Sequence, residues 1–92
     1  MVAKNERTVM TVLIGQRKEA AVNVQKVLTA WGCMIKTRLG IHDGVLDKCA
    51  DSGLLILELV GKSEDQDEML RKLNLIQGVH AKLVHLTVDG DK

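Results

Sequence analysis

Twice along this chain, a short run built on a two-residue period gives way to a helical period and then returns. That pattern, more than any single motif, limits what the chain can become. Residues 7–14, "RTVMTVLI", are short and rich in β-branched side chains, which predicts a strand ended by Gly15. In the following "QRKEAAVNVQKVLTAWG", Ala20, Val24, Val27, Leu28 and Trp31 recur at helical spacing, with Gln16, Arg17, Lys18, Asn23 and Lys26 on the other side. Gly32 is placed to stop that helix in a left-handed conformation.

Alternation then resumes over 33–42. Met34, Lys36 and Arg38 are expected on one side, and Ile35, Thr37, Leu39 and Ile41 on the other. Its Lys and Arg suit an edge strand, where charge discourages stray pairing. "GLLILELVGK" (53–62) is almost continuously apolar, as a central strand covered on both faces would be. In "SEDQDEMLRKLNLIQG", Ser63 and Gln66 have capping-box spacing, acids at 64, 65, 67 and 68 suit a helix N-terminus, and Met69, Leu70, Leu73 and Ile76 form the apolar stripe. Gly78 ends it, and "VHAKLVHLTV" (79–88) reads as a last strand.

The order β-α-β-β-α-β predicts a ferredoxin-like α+β fold: a four-stranded antiparallel sheet with both helices on one face, and the first and third strands central. Residues 7–88 are expected to form the single domain, with a flexible 1–6 ahead of it and a short tail, 89–92. The core must be aliphatic, since Trp31 is the one aromatic among 92 residues. In the third strand Leu55, Leu57 and Leu59 share one face, and Leu54, Ile56, Glu58 and Val60 the other. Helices cover one face only, so the second is expected to meet another subunit, in a homodimer or homotetramer.

Charge and motifs narrow the functional classes. Thirteen Lys and Arg against twelve Asp and Glu leave a net charge of +1, which gives no field favouring nucleic acid or anionic membrane. The predicted central strands carry no aromatic on which bases could stack, so direct nucleic-acid binding is not expected. No apolar run approaches the roughly 20 residues of a membrane helix. Two cysteines and no secretory signal suit a reduced, cytoplasmic protein.

The long link "RLGIHDGVLDKCADSG" (38–53) holds His42, Asp43, Asp47, Cys49 and Asp51. One His and one Cys are short of a closed zinc site, so a polar connection is expected, with His42 and Cys49 as the metal-binding alternative across subunits. Cys33 reads as a small buried residue. His80 and His85, at odd spacing, should face opposite sides of the sheet. No catalytic constellation stands out, so a non-enzymatic protein without cofactor is expected, a small enzyme on this fold being the other alternative. At "LIGQRKEA", Gly15 leads from a strand into a helix N-terminus, where backbone N–H groups can hold an anion. A P-loop is excluded there because the GK[ST] ending is missing.

Taken together, "TVMTVLIGQRKEAAVNVQKVL", "IKTRLGI", "GLLILELVGK" and "LNLIQGVHAKLVHL" resemble the small stand-alone ACT-like proteins described as iron-only hydrogenase system regulators. More distantly they resemble the C-terminal domain of the nickel-responsive transcription regulator. The resemblance spans about residues 7–88. It implies an ACT-type regulatory subunit that self-associates through its sheet and binds a small effector or a partner protein at a subunit interface. The implied effector site is the first strand–helix turn: Gly15, Gln16, Arg17, Lys18 and Glu19. Arg17 would pair with an anionic group, and the backbone of Gly15 and Gln16 would supply donors. Amino-acid-binding ACT domains carry an Arg-Pro-Gly type sequence there, where this chain has Arg17, Lys18 and Glu19. The nickel regulator's H-x-H ahead of the "GLLILELV" strand is missing, so nickel is not carried over. With six residues before the first strand, no DNA-binding module is expected ahead of it, and transcriptional control would act through a partner.

Overall fold

The computed structural model describes residues 6–15, 18–42 and 53–88. Along the chain it has strand β1 (Glu6–Ile14), helix α1 (Lys18–Ala30), a short 3₁₀ turn (Gly32–Met34), strands β2 (Ile35–His42) and β3 (Gly53–Leu59), helix α2 (Ser63–Asn74) and strand β4 (Val79–Thr87). The strands form one sheet in the order β2-β3-β1-β4, every neighbouring pair antiparallel. This is the ferredoxin-like arrangement, with β1 and β3 central as the order of elements predicts.

The core lies between one sheet face and the two helices. Met10, Val12 and Ile14 of β1, Leu57 and Leu59 of β3 and Ala81 of β4 come from the sheet. Ala20, Val24 and Leu28 repeat every four residues along α1, and Met69 and Leu73 do so along α2. Trp31, Val27, Leu70 and Ile76 are half-buried against this cluster. Met10, Leu57, Met69 and Leu73 expose nothing to solvent, so truncating one to Ala costs about 2–5 kcal/mol.

Four local expectations give way to tertiary contacts. Gly32 does not take a positive φ: the left-handed glycines among the described residues are Gly61 (φ 100°) and Gly78 (φ 87°). The chain leaves α1 through the 3₁₀ turn instead, in which the Met34 N–H donates to the Trp31 carbonyl at 2.9 Å. Cys33 sits in that turn and is exposed, not buried. Ser63 and Gln66 do not form a capping box. Lys62 takes the N-cap position, its carbonyl accepting from the N–H groups of Asp65 and Gln66. The buried Gln66 side chain donates instead to the Gly61 carbonyl at 3.3 Å.

The fourth difference is in β2. A bulge between Ile35 and Thr37 breaks the alternation. Ile35 sits opposite the buried Leu59, whereas Thr37, Leu39 and Ile41 sit opposite Glu58, Ile56 and Leu54 on the other sheet face. One extra residue, Lys36, thus separates Ile35 from the side chains that simple alternation groups with it.

Each edge of the sheet is managed differently. On β4, the last residue of α2 reaches over the side: Asn74 Nδ2 donates to the Ala81 carbonyl at 3.0 Å, and its Oδ1 accepts from the Ala81 N–H at 2.8 Å. The amide thereby supplies both hydrogen bonds that a neighbouring strand would give. On β2, the bulge and the side chains of Lys36 and Arg38 discourage pairing, and Arg38 is drawn toward α1 by a 2.8 Å bond from Nη2 to Gln25 Oε1.

Candidate functional site

The turn from β1 to α1 is closed by backbone. Gly15 donates its N–H to the Gly78 carbonyl at 2.7 Å, which joins the end of β1 to the turn before β4. A side chain at Gly15 would approach that carbonyl oxygen to 3.2 Å, so the close approach favours glycine. The Gly15 N–H is therefore committed within the fold, which removes it as a free donor to an effector. Gln16 and Arg17 lie outside the described residues. Lys18 and Glu19 are exposed in the first turn of α1.

His42 ends β2, its backbone paired with Gly53, while Cys49 lies outside the described residues. Among the described residues, no three His, Cys, Asp or Glu side chains come together as a metal site. His80 and His85 point to opposite faces: His80 sits across from the exposed Leu13, and His85 across from Thr8, with 3.2 Å between Thr8 Oγ1 and His85 Nδ1.

The helix-free sheet face has a distinct composition. Across the strands, Ile41, Leu54, Leu13 and His80 form one row, and Leu39, Ile56, Thr11 and Lys82 the next. Thr37, Glu58, Val9 and Val84 form a third, beyond which Arg7 pairs with Leu86. Leu13, Leu39, Ile41, Val84 and Leu86 are each between 41% and 57% exposed. Leu13, Leu39, Ile41, Leu54 and Ile56 thus form an apolar cluster on this face, with His80, Lys82, Glu58 and Arg7 around it. Two of its charges are paired with each other. Arg7 grips both carboxylate oxygens of Glu58, Nε to Oε2 and Nη2 to Oε1 at 2.6 Å each. Those hydrogen bonds hold the Glu58 carboxyl below its ordinary value of 4.5. Lys82, on the edge strand, is at the rim.

A cleft of about 600 Å³ opens at the end of the sheet opposite Gly15. The start of β1 (Glu6, Arg7, Thr8), Lys36, His85 and the turn from β3 into α2 line it. The turn is built on Gly61, whose positive φ strains any other residue and whose missing side chain leaves room for Met34 Sδ. The strand pattern does not point to this cleft. Its sequence signal is "GKS" at 61–63, a glycine and a lysine at a strand-to-helix junction. Acidic and basic side chains balance along its walls.

No family model matches the chain, and no curated protein matches it. Solved structures do. An uncharacterised protein from Thermotoga maritima superposes with a TM-score of 0.76 at 24% identity, over 89% of this chain and 99% of that one. The C-terminal domain of the MgtC protein from Mycobacterium tuberculosis gives 0.57 at 11% identity, over 100% and 98% of the two chains. A functionally unknown protein from Pediococcus pentosaceus gives 0.51 at 13% identity, over 91% and 93%. At these identities the likeness is one of fold. No helix among the described residues is long and apolar enough to cross a membrane.

Proposed function

We propose that this chain is a non-enzymatic, ACT-like regulatory module that self-associates through its helix-free sheet face. In this reading it binds a small effector or a partner protein at the resulting subunit interface. The observation that carries the reading is the apolar face itself: Leu13, Leu39, Ile41, Leu54 and Ile56 stand together on the side the helices do not cover. Burial of such side chains contributes about 25 cal/mol per Å² of apolar surface, and a second copy supplies a matching face. The resemblance to iron-only hydrogenase system regulators supports the same reading, with control exerted through a partner.

The effector end of the interface would be the turn at residues 15–19, because Leu13 brings the apolar face to within two residues of it. Since Gly15 donates to Gly78, recognition of an anionic group would fall to Arg17 and Lys18. Two measurements test the proposal. Sedimentation velocity should give a dimer or larger, and Leu13→Asp should reduce the mass while leaving the circular dichroism of the protomer intact. A thermal-shift screen of amino acids, nucleotides and organic acids should find a stabilising compound, since a ligand bound to the native state raises the melting temperature. A monomeric wild-type protein that no compound stabilises would remove the basis for a regulatory module.

A further inference from the structure

We propose that the second half of β4, residues 83–87, is a pairing edge for a second copy of this chain, antiparallel and centred on His85. This contact is separate from the sheet-face association above and does not depend on it.

The hydrogen-bond phase of β4 is determined at two independent points. Gly15 donates to the Gly78 carbonyl, so Gly78 and the residues at even steps from it face β1. Asn74 bonds both backbone groups of Ala81 from outside, so Ala81 and the residues at even steps from it face away. The outward set along the strand is therefore Val79, Ala81, Leu83, His85 and Thr87. Asn74 satisfies Ala81. Among the described residues, no group bonds the outward N–H and C=O of Leu83 or His85. An edge strand with open backbone groups and apolar flanks is a template for pairing.

The flanks differ between the two halves of the strand. His80 and Lys82 guard the first half, on the helix-free face, and Asn74 blocks its edge. Val84 and Leu86 occupy the second half, 41% and 52% exposed. On the opposite edge Leu39 and Ile41 are also exposed, but there the bulge and Lys36 interrupt β2 at its start and the Arg38 side chain reaches across to Gln25 of α1.

A second copy fits this segment in a definite register. Antiparallel pairing about a two-fold axis must place outward residues opposite outward residues. Centring on Val84 would set Thr87 against Ala81, whose groups Asn74 already holds. Centring on His85 sets His85 against its own copy and Leu83 against Thr87, each pair exchanging two N–H···O=C bonds. The same register places Val84 of each copy beside Leu86 of the other on the helix-free face, joining exposed apolar side chains that each protomer presents alone. The two sheets become one, with the helix-free faces of both copies on the same side.

Hydrogen exchange on the wild-type protein, followed by NMR, tests this without a mutation. The Leu83, His85 and Thr87 amides should be protected at least tenfold more than the outward amides of Arg38 and Gly40 on β2, and dilution should abolish the difference. Equal exchange at the two edges at millimolar protein overturns the proposal. His85→Pro is the companion variant. It removes an outward N–H that the protomer does not use, so an edge strand tolerates it. Its mass by sedimentation should be half that of wild type. An unchanged mass in a folded His85→Pro protein also overturns the pairing. Leu13→Asp, run in parallel, reports on the sheet face alone: protected 83–87 amides in that variant separate the two contacts.

Discussion

Replacing Asn74 by Ala removes both hydrogen bonds to Ala81, at 2.8 and 3.0 Å, and leaves the backbone groups of a residue that is 3% exposed without partners. A typical hydrogen bond contributes about 0.5–1.5 kcal/mol net, and an unsatisfied buried group costs about 1–3 kcal/mol. Two groups left without partners on an edge strand, at about 1–2 kcal/mol each, put the loss at about 2–4 kcal/mol. Ala offsets roughly 0.5 kcal/mol of this through its better helix propensity at the end of α2. The expected net destabilisation is about 1.5–3.5 kcal/mol by urea unfolding at pH 7. For a domain of this size each kcal/mol moves the midpoint by about 4–8 °C, so a thermal melt should resolve it easily.

Asn74→Asp distinguishes hydrogen bonding from shape. At pH 7 the carboxylate still accepts from the Ala81 N–H, but its second oxygen faces the Ala81 carbonyl where Nδ2 donated. It should be at least as damaging as Ala. The repulsion raises the folded-state pKa of the new Asp above its unfolded value of about 3.9. Stability is therefore fully recovered only below that unfolded value, where the protonated acid can donate, and is lost as pH rises through the raised folded value. Asn74→Ala shows no such recovery. An Asn74→Ala protein within 0.5 kcal/mol of wild type, or an Asp variant without acid recovery relative to Ala, would show that Asn74 merely lies near β4.

Other perturbations follow from the same structure. Gly78→Ala should cost about 1–2 kcal/mol through its left-handed backbone, measured by urea unfolding, and Gly61→Ala at least as much because its new methyl also meets Met34 Sδ at 3.3 Å. Gly32→Ala, with open space around it and an ordinary φ, should be neutral or stabilising by about 0.4–1 kcal/mol in the same assay. Glu58 has a lowered folded pKa, so its contribution is present above its unfolded value and disappears as pH falls through the folded one. An acid titration of stability should therefore be shallower below pH 4.5 for Glu58→Gln than for wild type.

The elements were legible in the sequence because each is specified by its own side chains. The fourfold spacing of Ala20, Val24 and Leu28, and the facing of Leu57 against Ile56, need no knowledge of neighbours. The features that escaped depend on contacts distant in sequence. Gly32 and Ser63 each have an appropriate local pattern, yet the exit from α1 and the entry to α2 are decided by Met34, Lys62 and Gly61. The phase of β2 is invisible because a bulge inserts no special residue type, only Lys36. The double hydrogen bond of Asn74 has no sequence signature, since its partner is another strand's backbone. For the effector turn, glycine at 15 was apparent, but its engagement with Gly78 was not.

The bulge in β2 also bears on which changes of chain length the protein tolerates. Lys36 is the residue in excess between Ile35, which faces the core, and Thr37, which faces away. Deleting Lys36 joins those two in regular alternation and leaves every other side chain of β2 on its present face. Deleting one residue from the middle of β1 has the opposite result, because everything beyond the cut exchanges core for surface. Lineages of this protein should therefore differ in length at position 36 far more readily than within β1, and a one-codon deletion there is the conservative route to a straighter, more pairing-prone second edge.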